Sequence, residues 1–340
     1  MTLAGAQRCA YLGPAATFTE AALIDILTEH GVLDTVERVP MRSANQMFDA
    51  VRSGEVDAAV VPIENSVEGG VPATLDALTR AGNLQIVAEA VVPVRFVLAA
   101  RPGTVTLETL TAFGTHPHGE AQTRLWMQEH VPHATYHPTG STAEAARLLG
   151  EATLAGGGGP PSSGPSVTPD VPFQAAIGPL LAAQTYGLEV LADDIGENTG
   201  SQTRFVCVQR PGLLPQPTGW DRTTFVVGLA SDRAGALLEM LEQLSARGVN
   251  MSRIESRPTG DGLGLYQFSI DALGHVHEAR MAEALRGIHR VAARLQFLGS
   301  YPMAAAARTE LNGTKKAVDP RVADEAFAAA QAWLDEVTGR

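Results

Sequence analysis

Positive charge is scarce in this sequence: 25 lysines and arginines stand against 37 acidic residues among 340, a formal net charge of −12. Such a chain lacks the basic face that a nucleic-acid binder turns toward phosphates, and it has no general attraction for an anionic membrane. An anionic substrate must be met by local positive potential gathered against the global field. Cysteine is scarcer still. Cys9 and Cys207 are the only two, too few for a disulfide framework or a four-thiolate metal site. Each lies in an apolar run, as a small buried residue of a reducing compartment does. No uncharged stretch reads as a membrane span, because Pro172, Gln174, Pro179 and Gln184 interrupt the longest, Val171 to Leu188. The opening MTLAGAQRCAYLGP has no apolar core of signal-peptide length. Together these absences point to a cytoplasmic protein. Lysine occurs only at 315 and 316, which with abundant alanine and glycine reflects GC-rich coding and carries no functional message.

What is present is apolar mass: 45% hydrophobic residues in a chain long enough for two or three domains. Arg8 to Leu12 reads as a short strand, and a helix follows from about Thr17 or Thr19 to His30-Gly31. Ser43, with Gln46 three residues on, opens a second helix that stops at Gly54. DAAVVPI (57–63) is an apolar run of buried-strand type, and Pro72 to Arg80 reads as the next helix. This strand–helix rhythm predicts a parallel, doubly wound sheet. A second α/β stretch runs from about Leu84 to Leu191, with a helix near Gly119–His130 and another opened by Ser141 with Glu144 as its reciprocal cap. Within it, AGGGGPPSSGPSVTPD (155–170) has the composition of a mobile surface insertion. RPGLLPQPTGWD (210–221) reads as a linker. Beyond it the predicted elements are a strand at 223–229, a helix at 232–247 and strands at 249–257 and 263–272. A helix at 277–289 and a strand at 294–301 complete a βαββαβ order of ferredoxin-like type. One further apolar-periodic helix, Val322–Val337, is predicted to pack on the body or on a partner subunit.

Three segments set small hydroxyls, an amide and an arginine at strand ends: YLGPAATFTE (11–20), VPIENSVEGGV (61–71) and NTGSQTRF (198–205). In an open parallel sheet those ends form the ligand crevice, where helix N-termini offer free N–H groups to anions. A lone Ser or Thr at such a turn is more often a helix cap than a ligand. Histidines at 116, 118, 130, 133 and 137, and the pair His275 and His277, come without an HExxH spacing or a cysteine partner, so no metal site is predicted. No dinucleotide or other cofactor fingerprint is present either.

Taken together, YLGPxxTFTE, VPIENSVEGGV, STAEAA and TRF resemble, in order and spacing, the prephenate dehydratase family. GAL at 235–237 and ESRP at 255–258 stand where that family carries its ACT regulatory domain. The resemblance covers about residues 8–301. It implies an α/β catalytic domain of two lobes, similar to type II periplasmic-binding proteins, followed by the ferredoxin-like ACT domain. The implied division is a catalytic domain at 1–209, a linker at 210–221, an ACT domain at 222–302 and a tail at 303–340. The lobes are about 1–85 plus 190–209, and 86–189. The chain opens directly on the dehydratase strand, so a monofunctional enzyme is expected.

The resemblance also implies the reaction. Prephenate loses its ring carboxylate as CO2 and its para hydroxyl as water, giving phenylpyruvate for phenylalanine synthesis, with no cofactor. Thr203, the threonine of TRF, corresponds to the family's essential group, a donor to the departing hydroxyl. The implied substrate-binding residues are Thr17, Ser43, Glu64, Asn65, Ser66, Ser141, Arg204 and Phe205, with Glu64 orienting the loop. Arg204 is matched either to a substrate carboxylate or to a structural ion pair. The implied effector is L-phenylalanine, held by Gly235, Ala236, Leu237, Asn250, Glu255, Ser256, Arg257 and Pro258 at an interface between subunits of a homodimer or homotetramer. Departures from the pattern are Ala16 for the usual glycine, His118, Gly119 and Glu120 in the HPQALAQ segment, and a shifted Asn198. Arogenate dehydration, a non-aromatising prephenate decarboxylase and an amino-acid-sensing protein without catalysis are the rival readings.

Overall fold

The computed structural model describes residues 3–152, 171–229, 233–259, 266–310 and 318–339. The 155–170 segment lies outside the described residues, as do the expected helix start at Asp232 and strand start at Leu263.

The chain opens with β1 (Arg8–Leu12), α1 (Phe18–Glu29), β2 (Glu37–Met41), α2 (Ala44–Ser53), β3 (Ala58–Asn65), a two-residue β4 (Gly69–Gly70), α3 (Pro72–Ala81) and β5 (Gln85–Pro93). It continues with β6 (Val97–Ala100), β7 (Ala112–Thr115), α4 (Pro117–His130), β8 (Thr135–Pro138), α5 (Thr142–Glu151), β9 (Ala175–Gly178), α6 (Leu180–Thr185) and β10 (Glu189–Ala192), before β11 (Gln202–Gln209). The starts of α2 and α5 follow the cap chemistry read from sequence, and α1 carries a cap of the same kind. The side chains of Thr17, Ser43 and Ser141 accept from the backbone N–H groups of Glu20, Gln46 and Glu144, satisfying first-turn donors that the helices leave free.

One sheet has the order β2-β1-β3-β11-β5, and a second the order β10-β6-β9-β7-β8. β1 runs parallel to β2 and β3, but β11 is antiparallel to both β3 and β5, so the expected all-parallel sheet is mixed. The reason is that β11 returns from the second lobe and enters the first sheet from the opposite end. Sheet membership also moves the expected lobe boundaries. β5 belongs to the first sheet, so the chain crosses over after Pro93 rather than at 85–86, and β10 stays in the second sheet instead of joining β11. Apolar layers lie on both faces of the first sheet. Leu23, Ile26, Phe205 and Cys207 pack on the α1 side, and Phe48, Leu75, Val206 and Val208 on the α2–α3 side.

The C-terminal unit comprises β12 (Asp221–Leu229), α7 (Ala236–Ser245), β13 (Met251–Pro258), β14 (Tyr266–Leu273), α8 (Ala279–Val291) and β15 (Ala292–Pro302), with the sheet order β13-β14-β12-β15. That is the ferredoxin-like arrangement expected from the βαββαβ order. Alternation along the strands divides its two faces. Phe225, Val227, Ile270 and Ala272 meet Met240, Leu244, Met281 and Ile288 of the helices. Val226, Leu298 and Tyr301 point the other way, into the same core as Val206, Val208 and Ile86 of the first lobe. The regulatory-type sheet is therefore packed directly on the first lobe. After α9 (Ala305–Glu310) comes α10 (Asp324–Thr338), which meets α8. Asp324 accepts from the Ala279 N–H at 2.8 Å, while Trp333, Leu334 and Val337 of α10 stay exposed. The expected packing of this helix on the body is seen at its N-terminal end.

Candidate active site

Because β1, β2 and β3 run parallel and β11 starts at their carboxyl ends, one rim of the first sheet carries Thr17, Ser43, Asn65, Ser66 and Thr203. The carboxyl ends of β7, β8 and β9 in the second lobe carry His116, Ser141 and Pro179. Three contacts join the lobes near these rims. The Phe18 and Phe96 rings meet edge to face at 5.7 Å, and His118 Nε2 lies 3.2 Å from Glu68. Ala16 is buried in the second-lobe cluster that contains Val97, Ala143 and Ala183. Its φ of +65 is a left-handed backbone that alanine adopts only with strain, which fits the glycine that the resemblance leads one to expect there.

Asn65 and Thr203 are direct partners across the β3–β11 pairing, at the edge of a bulge between Arg204 and Phe205. Asn65 Nδ2 donates to Thr203 Oγ1 at 2.9 Å. The direction of that bond is fixed by the other end of the amide: Asn65 Oδ1 accepts from the backbone N–H groups of Val67 at 2.9 Å and Glu68 at 3.1 Å. An amide whose oxygen is held by two N–H donors must present its NH2 to the opposite partner. Thr203 Oγ1 is thus an acceptor toward Asn65, and its own hydrogen is free to point elsewhere. Ser66 ties the same loop to β11, its Oγ accepting from Gln202 N–H at 2.9 Å.

Thr17 sits on this rim, but its hydroxyl donates to Leu12 O at 3.0 Å and caps α1. Ser43 and Ser141 accept at helix N-termini and keep their hydroxyl hydrogens. Two expected substrate contacts are corrected. Phe205 is 2% exposed, in the core against α1, because strand alternation turns it inward. Arg204 is buried and fully engaged, which places it in the ion-pair role rather than the carboxylate-binding one. Its Nε donates to Glu64 at 3.0 Å, Nη1 to Glu89 at 3.3 Å, and Nη2 to Asp271 of β14.

That arginine anchors a buried network shared by both domains. Arg222 donates to Glu89 at 2.8 Å, and Arg253 to Asp271 at 2.8 Å and to Ser269 at 2.8 Å. Thr224 Oγ1 donates to Asp271 at 2.7 Å. Burial alone would raise the Asp271 carboxyl, but the Arg204 and Arg253 guanidiniums hold it well below the usual carboxylate range. Burial pushes the Tyr301 phenol beside them up to about 12. Sequence reading did not single out Glu89, Arg222, Arg253 or Asp271. The signal available was a lone charge inside an apolar strand, as in IVAEAVV and FSIDAL, since such residues are buried only when paired.

Of the expected effector residues, Gly235 caps α7 with a φ of +84, and Ala236 and Leu237 begin that helix. The register Gly228↔Gln267↔Arg257 brings the Ser256–Pro258 end of β13 level with the end of β12, from which the chain leads to Gly235. Ser256 and Pro258 are exposed. Glu255 and Arg257 point to the opposite face. Glu255 occupies the space that a Cβ on Gly70 would need, and Arg257 pairs with Asp76 of α3 at 2.9 Å. Asn250 lies at the far end of β13, where its carbonyl accepts from Leu273 N–H. One chain therefore does not bring Asn250 to Ser256. Among the described residues, no three His, Cys, Asp or Glu side chains are grouped to hold a metal, and no helix is long and apolar enough to cross a membrane.

Comparisons with known proteins agree with this fold. A family model described as prephenate dehydratase matches residues 9–212, and one described as ACT domain matches residues 223–290. The chain is 41% identical over 303 residues to a prephenate dehydratase of Mycolicibacterium vanbaalenii, covering 86% of this chain and 90% of that one. It is 38% identical over 332 residues to a prephenate dehydratase of Amycolatopsis methanolica, covering 97% and 98%. Among solved structures, the prephenate dehydratase from Arthrobacter aurescens in complex with L-Phe is 48% identical, with a TM-score of 0.82, covering 98% of this chain and 100% of that one.

Proposed function

The chain belongs to the prephenate dehydratase family, and from that premise we propose which of its groups carry the chemistry. The reaction is the conversion of prephenate to phenylpyruvate, CO2 and water, with feedback by L-phenylalanine at the ACT domain. Electrons released as the ring carboxylate leaves flow through the diene and expel the para hydroxyl. One proton from solvent makes that hydroxyl water, and the gain of aromaticity drives the step. The protein must hydrogen-bond the departing oxygen and hold the carboxylate in line with the ring π system.

Thr203 is the donor to that oxygen, and Asn65 is the residue that aims it. The observation carrying this reading is the fixed direction of the Asn65–Thr203 hydrogen bond, which leaves the threonine hydrogen uncommitted. Ser43, Ser66 and Ser141 retain donatable hydroxyl hydrogens, and with the backbone N–H groups at the starts of α1, α2 and α5 they form the carboxylate-binding surface. Glu64 serves the site by holding Arg204.

L-phenylalanine lies between the Gly235–Leu237 helix start and the Ser256–Pro258 strand end. β13 is an edge strand with Ser252, Ile254, Ser256 and Pro258 exposed on one face, as a strand that pairs with a second subunit is. Antiparallel pairing of two such edges in a homodimer, or a homotetramer built from it, sets Asn250 of one subunit beside the Ser256 end of the other. Buried thiols at Cys9 and Cys207 suit a cytoplasmic location.

The experiment is phenylpyruvate formation from prephenate by wild type, Thr203→Ser and Thr203→Val, with and without L-phenylalanine. Thr203→Ser retains measurable turnover, and Thr203→Val loses about 10²–10⁴-fold in kcat. A Thr203→Val enzyme with near-normal kcat removes Thr203 from the mechanism, and faster turnover of arogenate than of prephenate reassigns the substrate.

A further inference from the structure

The buried network crosses from the ACT sheet to the residue beside Thr203, and its geometry reaches both halves of the catalytic pair. Arg204 follows Thr203 on β11, and Glu64 precedes Asn65 on β3. The Arg204–Glu64 pair therefore sets the register of the two strands at the bulge where Asn65 meets Thr203. A guanidinium with three carboxylate partners has one orientation, and Asp271 is the partner that the ACT sheet supplies. Its carboxylate is wholly buried and is itself held by Arg253 and Thr224. Beyond Arg253 the path continues to Glu255, 3.5 Å away, whose side chain packs against Gly70 of β4, the strand that pairs with the Glu64–Asn65 end of β3. The regulatory sheet thus reaches the catalytic loop twice, once through Arg204 and once through Glu255.

We propose that Asp271 is a positioning residue for the dehydratase reaction: it acts on Thr203 through Arg204, and it carries the state of the ACT sheet to the Asn65–Thr203 pair. The second half rests on the reading that L-phenylalanine regulates at the ACT domain; the first half does not.

The physical reason is the low tolerance of a buried ion-pair network for an altered partner. Removing the Asp271 charge leaves Arg204 and Arg253 sharing a neutral side chain, so Arg204 relaxes toward Glu64 and Glu89. That movement shifts the β3–β11 register by a fraction of an ångström. A hydrogen-bond donor for a transition state is sensitive to displacement on that scale, whereas a substrate anchored by several helix N-termini is not. The signature is a loss in kcat with KM nearly unchanged.

The test compares full-length Asp271→Asn and Thr224→Val with wild type. Thr224→Val removes the hydrogen bond to Asp271 and the one shared with the Tyr301 hydroxyl, with little change in volume, so it keeps the proposal testable if Asp271→Asn fails to fold. Expected for folded Asp271→Asn, judged by its circular dichroism spectrum and a cooperative melt, is a kcat reduced at least tenfold and a KM within threefold. Thr224→Val shows a twofold to fivefold loss in kcat in the same pattern. Calorimetric L-phenylalanine affinity stays within threefold of wild type in both, while the maximal inhibition by saturating L-phenylalanine falls. Folded variants with wild-type kcat, or losses confined to melting temperature or to KM, overturn the positioning role. Reduced kcat with undiminished inhibition overturns the coupling half alone. A wild-type enzyme that binds no L-phenylalanine defeats the regulatory reading, and the kcat comparison still decides the positioning role.

Discussion

Replacing Asn65 by aspartate inverts the hydrogen bond on which the site depends while changing almost no volume. In wild type the amide oxygen is held by Val67 and Glu68 N–H groups, so the NH2 faces Thr203 Oγ1 at 2.9 Å. Aspartate keeps the first two contacts with one carboxylate oxygen. It sets the other, an acceptor only, where the NH2 was. Thr203 then turns its hydrogen toward the carboxylate, and the departing hydroxyl loses its donor. Recovering the productive rotamer means breaking a charge-assisted hydrogen bond, which costs about 1.5–3 kcal/mol. At 1.36 kcal/mol per decade, kcat falls roughly 10- to 150-fold. The assay is phenylpyruvate formation at saturating prephenate, which separates this loss from the higher KM that a new negative charge imposes on an anionic substrate. Asn65→Asp and Thr203→Val act on the same hydrogen, so the double variant is no slower than Thr203→Val alone. An Asn65→Asp enzyme within threefold of wild-type kcat, or a double variant showing fully additive losses, refutes the assigned direction of the bond.

Gly235→Ala forces a left-handed backbone on alanine in open space, so it costs about 1–2 kcal/mol in denaturant unfolding and weakens calorimetric L-phenylalanine binding severalfold without lowering uninhibited kcat. Ala16→Gly relieves comparable strain but removes a methyl that is 1% exposed, a loss of about 0.8 kcal/mol. The net change in unfolding free energy stays within about 1 kcal/mol, and a destabilisation beyond 2 kcal/mol contradicts the strained-alanine account. Burial lowers the pKa of His275, and its Nδ1 already accepts from His277 N–H at 3.1 Å, so the folded state disfavours the charged ring. The folded protein then binds fewer protons than the unfolded chain below the ordinary histidine value of 6.5, so stability present at pH 7 declines as pH falls toward 5.5. His275→Gln flattens that part of a urea-unfolding series, and an unchanged slope contradicts the assignment.

Local chemistry determined the elements. Serine followed by a third-position Gln or Glu placed the starts of α2 and α5, because a cap and its first turn lie within four residues of one another. The βαββαβ order marked the C-terminal unit, and PIENS and TRF marked the rim residues Asn65, Ser66 and Thr203. Tertiary structure decided everything that depends on which strands become neighbours. Only pairing of β11 between β3 and β5 shows that Thr203 meets Asn65, 138 positions away, and that the sheet is mixed. Only the packing of the ACT sheet on the first lobe shows that Arg204 is enclosed by Glu64, Glu89 and Asp271, with no charge free for substrate. A charged residue in an apolar strand says that it has a partner; the partner comes from another part of the chain, and long-range placement alone names it.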